Sequence, residues 1–275
     1  MLTTVEARSP KGDVIIFPLE DDSSGFRVAK IEGLGPVKAN LVSSGFANSD
    51  GEQYQSSRRE ARNIKISLEL DPFSEVETVR SLRNKLYRVF MTESEVKLSF
   101  VLEGGPTVDI VGRVETCDID HFTQEPMADI SVMCFEPDFI DPIGVVSPGF
   151  TVNDETNSMV IEYDGSVETG IQLVLNVDRA LPEFVVYHVL PNDEIQTLEF
   201  DNYPLEAGDV LTISTVFGSK GATLVRAGTS SSVLYGVSPQ SKYIELLPGD
   251  NGIRVYAAGA PIPLTVSYVT KYGGL

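Results

Sequence analysis

At 275 residues, 42% of them hydrophobic, the chain is long enough to bury roughly three quarters of the surface its unfolded form exposes, and a prior of about 150 residues per domain suggests two domains. Asp and Glu total 40 against 21 for Lys and Arg, and the net charge of −19 is spread evenly, −9 up to Ile140 and −10 beyond it, which argues against a phosphate-binding surface. The two cysteines, Cys117 and Cys134, argue against a secreted disulfide scaffold and for a reduced cytoplasmic origin, with two buried thiols favoured over a bond across a hairpin.

The opening stretch MLTTVEARSPKGDVIIF places charges where a signal peptide needs its apolar core, and its apolar run from Val14 to Phe17 is too short to span a bilayer. We expect no export signal and no membrane insertion. From Gly33 to Leu70 the chain reads as strand, long polar loop, strand. Ile64, Ile66, Leu68 and Leu70 alternate with Asn63, Lys65, Ser67 and Glu69, the period of a half-buried strand. Between Ser74 and Met91 the apolar residues Val76, Val79, Leu82, Leu86, Val89 and Phe90 recur at three- and four-residue steps, predicting a helix. Ser74 with Glu77 reads as its capping box, Asp71-Pro72 sets its entry, and Arg83, Lys85 and Arg88 suit the negative end of its dipole.

After the helix, Val96, Leu98, Phe100 and Leu102 alternate before a Glu103-Gly-Gly-Pro106 turn, and a further strand ends at Phe135. Glu136-Pro-Asp-Phe-Ile-Asp-Pro142 then holds two prolines that cannot donate to a ladder, placing a domain boundary near residues 136 to 145. The resulting division is 1–140 and 141–275. Beyond it no helical periodicity appears. Ile171 to Val177, the set Val185, Tyr187 and Val189, and the set Leu264, Val266 and Tyr268 all alternate. Turn signals at Pro191-Asn192-Asp193, Gly218 to Gly221 and Pro248 to Gly252 separate the strands, so a β-sandwich of eight or more strands is predicted. The fold class is mainly β, with one helix packed on the first sheet.

Chemistry-bearing constellations are few. His121 and His188 fall in different predicted domains. Cys117, Asp118, Asp120 and His121 lie close together, but in a strand Asp118 and Asp120 share one face while Cys117 and His121 share the other, so they do not converge on a metal. The acidic runs Glu20-Asp21-Asp22 and Asp154-Glu155 sit in polar turns, where nothing raises a carboxylate pKa for acid catalysis. Gly33-Leu-Gly35 is followed by Pro36, which suits a turn better than a phosphate cradle, and no nucleophile elbow or dinucleotide fingerprint is found. No enzyme activity, cofactor or metal is expected.

Arg58, Arg59 and Arg62 form the densest basic cluster. Three readings stand: a solvated face, ion pairs across a subunit interface, and, least favoured in so acidic a chain, an anion site. Sugar binding would need an exposed aromatic face, and the chain has no Trp. Tyr163, Tyr187, Tyr203, Tyr235, Tyr243 and Tyr256 are the available rings, at spacings that otherwise read as packed sheet residues with the hydroxyl at the rim.

Several segments together resemble the distal tail proteins of tailed phages with long non-contractile tails. They are Gly35-Pro36, the polar segment Gly51 to Tyr54, Ala61-Arg62-Asn63, Leu82-Arg-Asn-Lys-Leu-Tyr87 and Cys134-Phe-Glu-Pro137-Asp-Phe139. Further along, Gly208 to Ile213, Ser219 to Thr223, Leu247 to Ile253 and Tyr268 to Tyr272 with Gly273-Gly274 follow in the family's order. The resemblance implies a belt domain over 1–140, a β-sandwich or split barrel with one helix, and a galectin-like or carbohydrate-binding-module-like sandwich over 141–275. It also implies a virion protein of the tail tip, made and assembled in the host cytoplasm. Six copies would close a ring joining the tail tube protein to the tail-tip hub and bearing receptor-binding proteins, with DNA passing through the lumen only as cargo. The length leaves no room for an inserted host-binding domain, so the basic scaffold form is expected. The alternative reading is a carbohydrate-binding attachment protein of the tail tip.

Overall fold

The structure is a computed structural model that describes residues 1–21, 24–47, 50–72, 77–146, 150–152, 159–257 and 262–275. The chain forms two compact units, the first made of residues 1–142 with 272–275, the second of residues 143–271. Both are built from antiparallel sheet, and the fold is mainly β with one α-helix among the described residues.

In the first unit the strands are β1 (Leu2–Arg8), β2 (Val14–Pro18), β3 (Phe26–Glu32), β4 (Ala39–Gly45), β5 (Glu52–Arg59) and β6 (Arg62–Leu70). After α1 (Val79–Val89) come β7 (Glu95–Leu102), β8 (Thr107–Ile119), β9 (Met127–Cys134) and β10 (Phe139–Ile140). The main sheet has the order β2-β1-β7-β8-β9-β6-β3. It curls. Phe17 on one edge strand meets Phe26 on the other edge to face, with centroids 5.6 Å apart, as a split barrel requires. The alternating residues read from the sequence line its inside: Ile64, Ile66, Leu68, Val96, Leu98 and Phe100 are all fully or almost fully buried. Leu82, Leu86 and Val89 of α1 are buried with them, and each fully buried aliphatic side chain contributes about 1.5–3 kcal/mol relative to exposure.

The helix begins later than its apolar periodicity suggests. Thr78 is the N-cap, its side chain accepting from the Ser81 backbone N–H while the Ser81 hydroxyl accepts from the Thr78 N–H, and Glu77 stays outside the helix, paired with Lys85 at 2.5 Å. Ser74 and Val76 lie outside the described residues, as do Asp22 and the Asp154-Glu155 pair. The box at 78 and 81 starts the helix because the reciprocal hydroxyl bonds give side-chain partners to N–H groups for which the helix supplies no carbonyl four residues earlier. Thr78→Ala should therefore destabilise this unit by about 1 kcal/mol in urea unfolding followed by circular dichroism.

The segment expected to be a long polar loop is a β-hairpin. β4 and β5 pair from Ala39 with Arg59 to Gly45 with Glu52, with a register shift between Val42 and Ser43, and among the described residues they pair with no other strand. Every residue of β5 is exposed, and so is every residue of β4 except Ser44, including Leu41, Val42 and Tyr54. A ribbon with water on both faces carries no hydrophobic alternation, which is why it reads as loop in the sequence.

The second unit contains β11 (Val145–Val146), β12 (Phe150–Val152), β13 (Met159–Tyr163), β14 (Thr169–Asn176), β15 (Phe184–Val189) and β16 (Ile195–Phe200). Then follow β17 (Val210–Ser214), β18 (Gly221–Arg226), β19 (Thr229–Ser232), β20 (Glu245–Leu246), β21 (Gly249–Ala257) and β22 (Ile262–Tyr268). One sheet runs β11-β22-β14-β17-β18-β19, with β12 on β22 and β20 on β14; the other runs β13-β21-β15-β16. Their inner faces meet as a sandwich, with Leu173, Leu175, Leu211, Ile213 and Val266 in one core with Val186, Leu198, Phe200 and Val255. Phe184 and Phe200 stack at 5.4 Å inside it.

Three expectations change here. In β15 the buried face is Phe184, Val186 and His188, while Val185, Tyr187 and Val189 are only half-buried. The period is as read, but the core set is the other one, because a buried histidine occupies a position that hydrophobicity assigns to water. The predicted turn at Pro248 to Gly252 is also shorter, since β21 begins at Gly249 and Asn251 is fully buried. The last strand, β23 (Lys271–Tyr272), pairs with β10, so residues 272–275 belong to the first unit although the sequence reading placed them with the second.

Candidate functional site

The three arginines of the basic cluster sit within a few residues of one another and do three different things. Arg58 stands opposite Asn40 near the base of the hairpin with its side chain exposed. Arg59, opposite Ala39, forms a two-pronged ion pair with Asp138, one bond between Nη1 and Oδ1 and the other between Nη2 and Oδ2 at 3.0 Å. This pair ties the hairpin base to the segment that leaves β9.

Arg62 faces inward. It is 1% exposed, and its guanidinium donates to four backbone carbonyls: Nε to Pro137 at 2.6 Å, Nη1 to Gly33 at 2.5 Å and to Gly35 at 2.6 Å, and Nη2 to Gly273 at 2.6 Å. Its Cζ lies 4.4 Å from the centroid of the Phe139 ring, which is itself buried. Burial lowers its pKa from the ordinary guanidinium value, with the Asp138 charge acting in the opposite direction. A buried cation survives here because planar, forked N–H donors match oxygens that converge from separate segments. Arg62 therefore offers no surface to a neighbour, and the candidate interface reduces to Arg58 and Arg59.

The loop that supplies two of those carbonyls is constrained to fit. Gly33 has φ +85°, and a Cβ there would lie 2.1 Å from the Asn63 carbonyl oxygen, so only glycine lets the loop lie against β6. The Leu275 N–H donates to the Leu34 carbonyl at 2.9 Å, and a Cβ on Gly274 would crowd Pro36 at 3.0 Å. Gly35-Pro36, Ala61-Arg62-Asn63, Cys134 to Phe139 and Gly273-Gly274, four of the segments that carry the family resemblance, thus meet at one guanidinium. Cys134 stands opposite Arg62 in the pairing of β6 with β9.

Beside Asp138 runs an open groove of about 460 Å³ whose floor is the outer face of β7 and β8. Val111, 48% exposed, lies between the cross-strand pairs Lys97–Asp109 and Glu95–Arg113, and Phe135, 69% exposed, stands at the wall. The outer face of β6, β8 and β9 is polar: Ser131 Oγ lies 2.9 Å from Asn63 Oδ1 and 2.8 Å from Glu115 Oε2.

The remaining candidates separate. Cys117 and Cys134 are free thiols; Cys117 faces Ile130 in the register, so the two are not opposite each other, and burial pushes each thiol up to about 11. His121 lies on the exposed loop after β8, its Nδ1 2.7 Å from Arg83 Nη1. Among the described residues no three His, Cys, Asp or Glu side chains gather at metal-binding separations, and no helix is long and apolar enough to cross a membrane. His188 is sealed in the sandwich core against Asn251.

A curled sheet with one helix, an outlying hairpin and an appended β-sandwich define a fold found in the adsorption apparatus of phage tails. Among solved structures the chain is similar to SPP1 Dit, a protein described as a paradigm of the hub adsorption apparatus in phages infecting Gram-positive hosts. The TM-score is 0.66 at 16% identity, over 97% of this chain and 98% of that one. Two structures of the phage P2 baseplate in its activated conformation also align, one with Ca at TM-score 0.44 and 8% identity over the whole of both chains, the other with Sr at 0.42 and 9% over 95% of this chain and 97% of that one. No protein-family model and no curated protein matches the sequence. The chain shares its fold with that hub protein.

Proposed function

We propose that this chain is a structural component of a phage tail tip, a distal tail protein whose copies close a ring of six between the tail tube and the tail-tip hub. The reading is supported by a fold shared with a hub protein along the full length of both chains, and by the hairpin β4–β5. A two-stranded ribbon by itself is marginal in water, and its two outer edges present unpaired N–H and C=O groups, so it needs a partner surface to be stable. Within one chain it has none among the described strands. A neighbouring copy supplies one. The contact is head to tail, because a hairpin on one side of each copy meets a different surface on the next, and such a contact ends in a ring when its rotation closes. Arg58 and Arg59 at the hairpin base are the charged residues we place at this interface.

The partners that follow are the tube protein on one face of the ring, the tail-tip hub on the other, and receptor-binding proteins at the periphery, in the virion. We assign the protein a structural role, with no reaction of its own. The acidic balance of −19 suits a lumen through which DNA passes without adhering. Light scattering with negative-stain imaging tests the ring. Purified protein should give particles of roughly 180 kDa, six times 29.9 kDa, with a central hole. Replacing residues 40–58 by a short Gly-Ser linker should return monomers whose two units still fold. Monomers from the intact chain, with or without isolated tail tubes, would remove the ring reading.

A further inference from the structure

We propose that the groove beside Asp138 is the seat for the hairpin β4–β5 of a second copy of this chain, with Val42 of one copy packed against Val111 and Phe135 of the next and Arg58 paired with Glu136. This contact presupposes the ring of six, and the ring can exist without it.

The hairpin has the composition of a covered surface. Strand edges that stay in water are normally guarded by charge, yet this ribbon carries none from Ala39 to Gly45 or from Gln53 to Ser57, in a chain of which 22% is charged. It exposes Leu41, Val42 and Tyr54 instead. Depleted charge with aliphatic and aromatic side chains retained is the signature of an interface core. The two faces of the ribbon differ in what they have left to offer. Residues two apart in a strand share a face, so Leu41 lies on the face of Ala39 and Arg59, and Val42 on the face of Asn40 and Arg58. Asp138 of the same chain holds Arg59, which commits the first face to its own chain at the base. The face of Val42 and Arg58 remains for a neighbour.

The groove complements that face. Six charged side chains line it, and five of them are engaged within the chain: Lys97 with Asp109, Arg113 with Glu95, and Asp138 with Arg59. The sixth, Glu136, is exposed and makes no ion pair among the described residues, and the same is true of Arg58 on the hairpin. Val111, Phe135, Ile140 and Pro142 supply the apolar lining between the paired charges. A segment bearing several charges would compete with those pairs; an uncharged ribbon with one arginine at its foot leaves them intact and gives Glu136 its cation. Val42 and Val111 are both 48% exposed in the single chain, so a copy does not fill its own groove with this face of its hairpin. A second copy brings the missing half, and the contact is head to tail, as a closing ring needs.

Charge reversal read by light scattering provides the test, under the conditions in which the intact chain forms particles. Arg58→Glu and Glu136→Arg should each raise the concentration needed for half-assembly by more than about tenfold, and the double variant should recover most of the loss. Both residues are exposed, so the circular dichroism of each variant should match that of the intact chain. As a second measurement, a short bismaleimide should join Val42→Cys to Val111→Cys in one protein into a ladder of linked copies on denaturing gels, while neither single variant gives a ladder. Particles whose assembly is unchanged by either reversal, or that give no ladder with the cysteine pair, overturn this contact and leave the ring standing. An intact chain that stays monomeric overturns both. A loss in the single reversals that the double variant does not recover also overturns the pairing, because the two residues then meet different partners.

Discussion

Arg62→Ala will lower the unfolding free energy of the first unit by about 3–5 kcal/mol, as much as truncating one of its fully buried phenylalanines. The cost has two sources. Removing the guanidinium takes four charge-assisted hydrogen bonds from the carbonyls of Gly33, Gly35, Pro137 and Gly273, and it opens a space beside the buried Phe139 ring. Arg62→Lys should recover less than half, because one ammonium cannot reach oxygens arranged around a planar fork. Arg62→Met tests packing against hydrogen bonding: it fills the space, so a loss that persists is the carbonyls' share. Calorimetry that resolves the two units should show the upper or lower transition of the first unit move while that of the second stays. An Arg62→Ala loss under about 1 kcal/mol would mean that water replaces the guanidinium and that the clamp is not structural.

How much of this was legible follows from where each signal is stored. Ile64 to Leu70 read correctly because one face of β6 is dry and the other wet, which writes a period of two into the sequence. The fold class and the helix face were readable for the same reason. The hairpin was not, since Leu41, Val42 and Tyr54 lie among polar neighbours on a ribbon wet on both sides. The helix start was ambiguous because Ser74 with Glu77 and Thr78 with Ser81 both have the spacing of a capping box, and the hydroxyl bonds between Thr78 and Ser81 are visible only in the folded backbone. Arg62 looked like a member of a surface cluster because charge density counts neighbours in sequence. Its partners lie 27 to 211 residues away. The motif order carried that information indirectly, since four of the segments that resemble the family meet at Arg62.

Asn251→Ala will destabilise the second unit by about 3 kcal/mol, and the histidine beside it makes that unit sensitive to acid. The Asn251 side chain accepts from the Leu247 N–H at 3.0 Å and donates to the carbonyls of Leu247 at 2.7 Å and Gly249 at 2.8 Å, closing the turn before β21. Its Oδ1 also lies 3.0 Å from His188 Nε2, which sets the tautomer: Nε2 carries the proton and donates, while Nδ1 is buried with no hydrogen-bond partner. Protonating Nδ1 would place a charge and an unsatisfied donor in the core. Desolvation therefore lowers the His188 pKa below its ordinary value of 6.5, and the Asn251 bond offsets only part of that. The sign follows. The unfolded chain takes up this proton first, so stability is full above about pH 6.5 and is lost as pH falls toward the folded pKa, with a slope of at most about 1.4 kcal/mol per pH unit. Calorimetry at closely spaced pH values from 7.5 to 5.0 should show the second unit's midpoint falling before the carboxylates titrate. His188→Gln keeps a side-chain N–H for Asn251 and cannot titrate, so it should flatten that slope; a slope unchanged in His188→Gln would assign the acid sensitivity to other groups.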